Sequence, residues 1–491
     1  MAYNMGSSKQ VFIDWDLIEP GYGVGWGGER PESWEMPHGV QIAVHPPRID
    51  PQPIICADRP WESKIGLYCT VLEDEGRYRL YYDCYFGEET GPEGTFREML
   101  AYAESTDGVN WVKPKVGTVD FMGSTDNNLV FGLGLSLGRQ VEGSTVFKDP
   151  SASPAERYKL VHKGREDDVV CVFGAVSPDG LRWKALEKPL IRDYMCDSQT
   201  VVAFDQAKGR YVGYFRGWKG FEYRRWHGKR TIAYAESDRF DSWPVPQTII
   251  APFFNDAATT EIYTNAYTRW PGTADAHLMF PTFYRRTPDL HQVHLMTSRN
   301  GLLWQRLRRE AVIQGGEPGS GWEGGVYAGC GLISISPGEW SLPIAPVGHS
   351  HNQDLFEEGR RAHPPHRSYL CKAVWREDGF TSLEAESEGM CSTVPLTFAG
   401  RRLQINAWTR FGGGIRVAVA NSSGESFSGV TFTGSDPIPG LTFADCDPVT
   451  GDIRKRIVTW NGSSDLSRWT GEVIRLRLWL CRARLHSVQF V

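Results

Sequence analysis

The sequence predicts an all-β protein built as a five-bladed β-propeller followed by a β-sandwich. Three observations predict this fold. The 491 residues include 53 glycines and 30 prolines, which favours many short elements over long helices. A motif of the form Ser-x-Asp-Gly-x-x-Trp recurs along the chain, and strand-like runs precede and follow each copy.

The motif occurs four times with a constant offset of six residues between its serine and its tryptophan. The copies, which define repeats one to four, run over 105–111, 177–183, 237–243 and 298–304. A glycine in the turn takes a positive φ, and the Asp or Asn before it bonds the turn backbone. The third copy has Arg239-Phe240 there, so we expect a different turn. Repeat five ends in the degenerate copy Trp375–Phe380, which lacks the final tryptophan.

Each repeat supplies two strands before the motif and one after it. The predicted first and second strands are 65–72 and 78–85, 144–147 and 158–162, 200–204 and 211–215, 262–270 and 277–284, and 326–334 and 342–347. The outer strands end in the aliphatic pairs Leu129-Val130, Leu190-Ile191, Ile249-Ile250 and Val312-Ile313. Repeat five lacks an outer strand, and the N-terminal Gln52–Ile55 offers one. We expect it to close the last blade, because closure removes an exposed sheet edge.

The repeats stop after Glu388, so we predict a catalytic propeller over 1–388 and an accessory β-sandwich over 389–491. Strand-like runs at 403–409, 414–420, 441–444, 456–460 and 473–480 predict the sandwich. Two roles stay open for it: a packing module for the propeller, or a carbohydrate-binding surface.

Composition excludes several classes of function. The net charge of −6 disfavours nucleic-acid binding, and no apolar run reaches the length of a membrane helix. We expect a cytoplasmic protein, because no signal peptide is visible. The ten cysteines form no CxxC pair, and no dinucleotide or phosphate-loop motif occurs, so we expect no metal and no cofactor. The sequence leaves open whether the protein is a homo-oligomer.

An acidic residue precedes the innermost strand of every repeat. These candidate catalytic residues are Glu62, Glu142, Asp197, Glu261 and Glu323. First strands of a propeller line a central funnel, so the five carboxylates are expected at one mouth. Glycoside cleavage needs one carboxylic acid to protonate the leaving oxygen and a second carboxylate as base or nucleophile. Rim salt bridges or turn caps are the alternative role for each of them.

Basic and aromatic residues accompany the acids at the ends of the second strands and beside the first. The candidate substrate-binding residues are Asp58, Trp61, His162, Arg216, Trp218, Tyr263, Asn265, Arg285, Trp322, His349 and His351. Aromatic rings stack on sugar faces, and Arg or His pairs with acids or binds a substrate anion. Neutralisation of the acidic ring is an equally simple role. A metal held by His349, His351 and Asp354 is the less favoured alternative.

The chain resembles the five-bladed propeller glycosidases of glycoside hydrolase families 32 and 43, and most closely bacterial proteins described as family 32-like. The resemblance rests on the repeated motif, Pro60-Trp61-Glu62, Asp197-Ser198, Pro437–Gly440 and Asp445–Pro448. It implies Glu62 as base or nucleophile, Glu142 as the group that tunes the pKa, and Asp197 as general acid. Family 32's Asn-Asp-Pro-Asn box and Glu-Cys pair are missing, so Asp197, Glu261 and Glu323 form an alternative catalytic set.

The predicted function is therefore an enzyme of carbohydrate metabolism: a glycoside hydrolase that acts exo on a small sugar or chain end. A transglycosylase or phosphorylase on the same scaffold is one alternative, because His162, Arg216 and Arg285 could hold phosphate. A non-catalytic carbohydrate-binding propeller is the other.

Overall fold

The computed structural model describes residues 2–21, 37–87, 97–134, 141–219, 228–317, 320–349, 351, 368–421, 423–427, 430–434 and 437–491. Within these ranges the chain is nearly all β, with short 3-10 turns at Pro154–Glu156 and Ser467–Trp469. No helix in the described ranges is long and apolar enough to cross a membrane. All ten cysteines are free thiols, and most are buried.

The chain divides into two compact units. The repeat unit comprises residues 47–268 and 277–375, and the terminal unit comprises 1–46, 269–276 and 376–491. The N-terminal strands of the terminal unit are β1 (Tyr3–Gly6), β2 (Gln10–Val11) and β3 (Gln41–Val44), and β4 (Arg48–Cys56) opens the repeat unit. These compact units differ from the ranges 1–388 and 389–491, because strands from the first 46 residues pair with C-terminal strands. The predicted domain division stays a prediction.

Repeats one to three each form a separate antiparallel sheet of four strands. Repeat one holds β5 (Lys64–Asp74), β6 (Arg77–Phe86), β7 (Arg97–Ser105) and β8 (Leu129–Phe131). Repeat two holds β9 (Glu142–Lys148), β10 (Tyr158–Glu166), β11 (Val169–Ser177) and β12 (Lys184–Ala185), and repeat three holds β13 (Val201–Asp205), β14 (Arg210–Lys219), β15 (Lys229–Ser237) and β16 (Gln247–Ile250). The predicted propeller arrangement of sheets is confirmed.

Repeats four and five share one seven-stranded sheet, in the order β17-β20-β21-β23-β24-β25-β4. Repeat four holds β17 (Thr260–Ile262), β18 (Tyr267–Arg269), β19 (His277–Met279), β20 (Thr282–Arg285), β21 (Leu290–Val293) and β22 (Met296–Ser298), with β18, β19 and β22 in a small sheet of their own. Repeat five holds β23 (Gly325–Ala328), β24 (Glu339–Val347) and β25 (Tyr369–Arg376). As predicted, the N-terminal β4 supplies the outer strand, with Ile55 opposite Leu370.

The predicted count of five blades is not confirmed, because the described residues of the repeat unit form four sheets of four or more strands rather than five. The two repeats merge where Gly325 of β23 lies opposite His291 of β21. A Cβ on Gly325 would lie 2.0 Å from the His291 carbonyl oxygen, so only glycine permits this approach. One close backbone contact therefore joins two units that the sequence shows as separate repeats.

The recurring motif forms a closed turn in three copies. In repeat two the Ser177 hydroxyl accepts from Gly180 N–H at 2.9 Å, and Asp179 accepts from two further backbone N–H groups. Trp183 Nε1 then donates to the Gly180 carbonyl at 3.1 Å. Repeats one and four repeat this pattern. The third copy differs as predicted, since Ser237 accepts from Arg239 N–H and donates to the Ser242 carbonyl.

These turns pack against the preceding repeat, and the contacts run round to close on repeat five. Gly180 of repeat two lies against Tyr81 of repeat one, and Gly301 of repeat four lies against Tyr214 of repeat three. Gly108 of repeat one lies against Ile335 of repeat five. Tyr78 also donates to the Ser334 carbonyl at 2.6 Å. The first and last repeats are thus neighbours, as ring closure requires.

The terminal unit contains an eight-stranded sheet and a hairpin. Its remaining strands are β26 (Thr381–Ser392), β27 (Leu396–Phe398), β28 (Leu403–Asn421), β29 (Ser423–Phe427), β30 (Val430–Gly434), β31 (Asp452–Ile457) and β32 (Ile474–Phe490). The predicted strands 403–409 and 414–420 are one strand, whose pairing with β32 is interrupted between Thr409 and Gly414. Its core includes Leu403, Val417, Leu476 and Trp460. A β-sandwich is not directly confirmed.

Candidate active site

All five repeats converge on one group of charged and aromatic side chains. Tyr68 of repeat one is fully buried, and burial raises its pKa well above its ordinary value. Tyr263, Glu142 and Tyr327, from three further repeats, raise this pKa as well, whereas Arg216 of repeat three lowers it. We call Glu142, Lys163, Asp197, Arg216, Arg230, Glu261 and Tyr263 the central cluster.

Glu142 begins β9 and forms an ion pair with Lys163, which lies opposite it on β10. Burial lowers the pKa of Lys163, but Glu142, Glu98 and Asp197 outweigh this effect and raise it above the ordinary value. Lys163 is therefore a fixed positive charge between carboxylates of repeats one, two and three.

Asp197 lies just before β13, and its Oδ1 accepts from Arg216 Nη1 at 2.5 Å. Arg216 is fully buried, and its Nη2 donates to the Tyr263 carbonyl at 2.7 Å. The guanidinium carbon lies 4.5 Å from the Tyr263 ring centroid and 5.6 Å from that of Trp218. Stacking and two hydrogen-bonding partners hold Arg216 rigidly, and Arg216 in turn positions Asp197.

Glu261 of β17 is held by two arginines. Its Oε2 accepts from Arg230 Nη1 at 2.5 Å, and its Oε1 accepts from Arg286 Nη2 at 2.6 Å. Burial raises the pKa of Glu261, but Arg286 and Arg230 outweigh it and hold the pKa below the ordinary value. Arg230 also stacks on Tyr263 at 5.0 Å and on Trp218 at 5.5 Å. Two guanidinium groups thus contact the same two aromatic rings.

Aromatic rings of repeats four and five form a wall beside these arginines. His351 lies 5.2 Å from Tyr263, 5.0 Å from Tyr284 and 5.1 Å from His291, measured between ring centroids. The Tyr327 hydroxyl lies 2.7 Å from His291 Nε2. Burial lowers the pKa of His351 to about 4, and Arg230 acts in the same direction. His351 is therefore neutral at pH 7.

Exposure separates the carboxylates into two groups. The side chains of Glu142 and Asp197 are 21% and 13% exposed, so part of each side chain reaches solvent. Those of Glu261 and Glu62 are 1% and 0% exposed. A group that exchanges a proton with a substrate must be able to contact it. Glu142 and Asp197 meet this condition, and Glu261 and Glu62 do not.

Glu62 lies in a separate buried network in repeat one. Its carboxylate accepts from Lys113 at 2.6 Å, from the Tyr82 hydroxyl at 2.7 Å and from the backbone N–H groups of Asp58 and Arg59. Asp58 is exposed and also pairs with Lys113, and Trp61 donates to Asn128 at 2.8 Å. These bonds make Glu62 a structural anchor of repeat one.

Three other predicted binding residues lie outside the central cluster. His162 is buried between Phe131 and Phe173, with Nδ1 at 2.8 Å from the Lys163 carbonyl. Asn265 is buried and donates to the carbonyls of Gln199 and Tyr214. Arg285 lines a different cavity, described below. Side chains alternate along a strand, so Lys163 and Arg286 take the positions predicted for their neighbours His162 and Arg285.

The remaining predicted residues belong to repeats three and five. Trp218 is half-buried and donates to the Met195 carbonyl at 3.0 Å. Trp322 donates to the Tyr369 hydroxyl at 2.9 Å. Glu323, the next residue, and His349, two residues beyond the end of β24, are both half-buried. Among the described residues, no group of three metal-ligating side chains could hold a metal ion. Asp354 lies outside the described ranges.

The predicted site residues do not include Arg230 and the buried Asp83. Arg230 is the second residue of β15, a third strand, whereas the predicted site residues lie at the first and second strands of the repeats. Asp83 accepts from Gly143 N–H at 2.7 Å, and burial raises its pKa to about 8, with Glu142 acting in the same direction. The signal for Asp83 was a carboxylate inside the otherwise apolar and aromatic run Tyr81 to Phe86.

Comparison with solved structures finds propeller enzymes of low similarity. One named glycoside hydrolase has a TM-score of 0.47 at 14% identity, over 67% of this chain and 92% of that chain. A family 43 arabinoxylan arabinofuranohydrolase from Bacillus subtilis has a TM-score of 0.40 at 14% identity, over 88% of this chain and 96% of that chain. A third structure has a TM-score of 0.46 at 13% identity, over 68% of this chain and 94% of that chain. It is described under the GH130 family of mannoside phosphorylases, which contains glycoside hydrolases that target β-1,2 mannosidic linkages in Candida mannan.

No family model matches the chain, and no curated protein matches it. These three structures are not described as members of family 32, so the resemblance to that family stays a prediction.

Proposed function

We propose that this protein is a glycoside hydrolase in which Glu142 and Asp197 form the catalytic carboxyl pair. One observation carries the proposal: they are the two acids of the central cluster whose side chains are partly exposed while a buried cation pairs with each of them. One protonates the leaving oxygen, and the other acts as base or nucleophile at the anomeric carbon. The substrate proposed for this pair is a small sugar or a chain end, cleaved exo, as the sequence predicts.

Glu261 serves as a positioning residue in this proposal. It is buried and holds Arg230 against Trp218 and Tyr263. Trp218 is half-buried, so part of its indole surface is accessible to a sugar ring. Trp218→Ala is therefore expected to raise KM more than it lowers kcat.

The test uses a panel of nitrophenyl glycosides. Asp197→Asn and Glu142→Gln are each expected to lower kcat/KM by about 10²–10⁴-fold, the usual contribution of a positioned acid or base. The panel includes a dinitrophenyl glycoside, whose leaving group departs without being protonated. The variant that lacks the general acid should therefore show a smaller loss of kcat/KM on this substrate than on the mononitrophenyl glycosides.

Glu187→Gln is the control, because Glu187 is an exposed glutamate of repeat two. Its kcat/KM should equal that of the wild type. Full activity in both Asp197→Asn and Glu142→Gln, with native circular dichroism, would contradict the proposal.

A phosphorylase or transglycosylase on the same scaffold is the second candidate. It needs a cation available to phosphate, whereas Lys163, Arg216 and Arg230 each already pair with a carboxylate. Hydrolysis is therefore favoured. Turnover that depends on added phosphate would reverse this preference, and sugar binding without turnover by the wild type would establish the non-catalytic alternative.

We also propose that residues 1–388 carry the catalytic propeller and that 389–491 are accessory. All residues assigned to the reaction lie between Glu142 and Glu261. The C-terminal hundred residues supply none of them.

A further inference from the structure

A second cavity lies in repeat four, on the opposite face of the sheet from Glu261. The strand register pairs Thr260 with Arg285 and Glu261 with Tyr284. Neighbouring residues of a strand point to opposite faces, so Thr260 and Arg285 face away from Glu261. Thr260 and Arg285 both line this cavity, which has a volume of about 240 Å³. It is therefore separate from the central cluster.

The polar lining of the cavity is dominated by arginine. Its principal polar residues are Asn255, Asp256, Arg285, His294, Arg306 and Arg309. Asp256 Oδ1 accepts from Arg306 Nη2 at 2.6 Å and from Arg309 Nη2 at 2.7 Å. One carboxylate thus faces two guanidinium groups, and Arg285 adds a third. The other acid of the lining, Glu310, pairs with Arg308 at 3.3 Å. The cavity carries an excess of positive charge.

Arg306 is the cavity arginine that the protein holds in place and shields from solvent. The Arg306 side chain is only 3% exposed, and its guanidinium carbon lies 4.8 Å from the Phe253 centroid and 5.0 Å from that of Phe283. Arg309 also donates to the Asn255 carbonyl at 2.9 Å. Fixed guanidinium groups lose little entropy when they bind an anion, which favours recognition of a planar or tetrahedral oxyanion.

His294 provides a second, independent indication of a ligand. It is 5% exposed, lines the cavity and packs on Phe283 at 4.1 Å between centroids. Its Nδ1 is buried and has no hydrogen-bond partner within the described part of the chain. A buried polar atom without a partner is costly, so its retention at the wall of a cavity points to a partner that is not protein.

We propose that this cavity binds a small oxyanion, a phosphate or carboxylate group on a molecule no larger than a sugar derivative. Arg285 contacts the anionic oxygens, the buried Arg306 adds positive charge beside them, and His294 Nδ1 makes one hydrogen bond to the same molecule. The volume lies below the roughly 300–1,000 Å³ of pockets for drug-sized ligands, which limits the size of the ligand. The site is independent of glycoside cleavage.

The test is calorimetric titration of the full chain with inorganic phosphate and, separately, with glucuronate. We expect saturable binding of at least one of these anions. The anion that binds more tightly shows whether the site prefers a phosphate or a carboxylate group. Arg285→Gln should weaken it about tenfold or more, the loss expected for one charge-assisted hydrogen bond. Arg285 is exposed, so this variant is expected to fold.

Arg182→Gln is the control of matched charge, because Arg182 is an exposed arginine of repeat two. It should bind as the wild type does. In nuclear magnetic resonance spectra at pH 7, the bound anion should also shift the His294 ring signals of the wild type. Absence of saturable binding by both anions at millimolar concentrations would overturn the proposal, and so would equal weakening by Arg285→Gln and Arg182→Gln.

Discussion

At the scale of single residues, burial and pairing distinguish the acids proposed to do chemistry from the acids proposed to hold the fold. Five acids occupy the same position in the sequence repeats, yet Glu62 is buried and accepts hydrogen bonds from four groups, whereas the Asp197 side chain is 13% exposed. The sequence predicted their positions before the strands. It could not predict their exposure, because the partners Lys113, Tyr82 and Arg216 are distant in sequence.

Glu62→Gln tests the anchoring role of this buried acid. We expect a loss of about 1.5–3 kcal/mol in the free energy of unfolding, because Lys113 loses a buried charged partner. Asp58→Asn removes the other carboxylate on Lys113, which is 52% exposed, and should cost less than about 1 kcal/mol. Urea unfolding measures both. Equal losses in the two variants would refute the distinction.

Glu261 gives a prediction about pH. The pKa of Glu261 is lowered in the folded state, so its ionised form stabilises the protein at pH values above the ordinary pKa of 4.5. This contribution to stability is lost as the pH falls through the lowered pKa. The difference in unfolding free energy between wild type and Glu261→Gln should therefore be largest near neutral pH and shrink below pH 4.5. A difference that stays constant from pH 7 to pH 3 would contradict the assigned ion pairs.

At the scale of strands and turns, the motif was predictable because its bonds are local. Ser177, Asp179, Gly180 and Trp183 satisfy one another within seven residues. The direction of the side chains at the strand ends was not predictable, because a shift of one residue turns a side chain to the opposite face of the sheet. His162 and Arg285 were chosen where Lys163 and Arg286 contact the carboxylates.

Gly180→Ala tests whether these turns pack against the neighbouring repeat. Gly180 and Gly209 both have positive φ, so alanine is strained at each. A Cβ at 180 would lie 2.3 Å from the Tyr81 hydroxyl, whereas one at 209 meets no atom within 4 Å. Gly180→Ala should therefore lose about 1–3 kcal/mol more than Gly209→Ala in urea unfolding, the usual cost of overpacking. Equal costs would show that repeat two does not pack on repeat one as described.

At the scale of the whole molecule, the sequence predicted the closing strand because the missing outer strand of repeat five and the aliphatic pair of β4 complement each other. It did not predict that repeats four and five share a sheet. That merger depends on one backbone approach at Gly325, which has no signature in a repeat pattern.

Ile55→Ala tests closure of the ring. Ile55 is buried opposite Leu370, so its truncation should lower the free energy of unfolding by about 2–4 kcal/mol and speed amide exchange in β25. Ile54→Ala, at the half-buried neighbour, should cost clearly less. If Ile55→Ala left exchange in β25 unchanged, β4 would not be its closing partner.

The central claim is that the central cluster cleaves glycosides through its solvent-reaching carboxylates. The most direct measurement compares kcat/KM of Asp197→Asn and Glu62→Gln on one glycoside that the wild type cleaves, at a temperature where both variants are folded. The predicted result is a loss of about 10²–10⁴-fold for Asp197→Asn and near wild-type activity for Glu62→Gln. Retained activity in Asp197→Asn together with loss in Glu62→Gln would contradict the account.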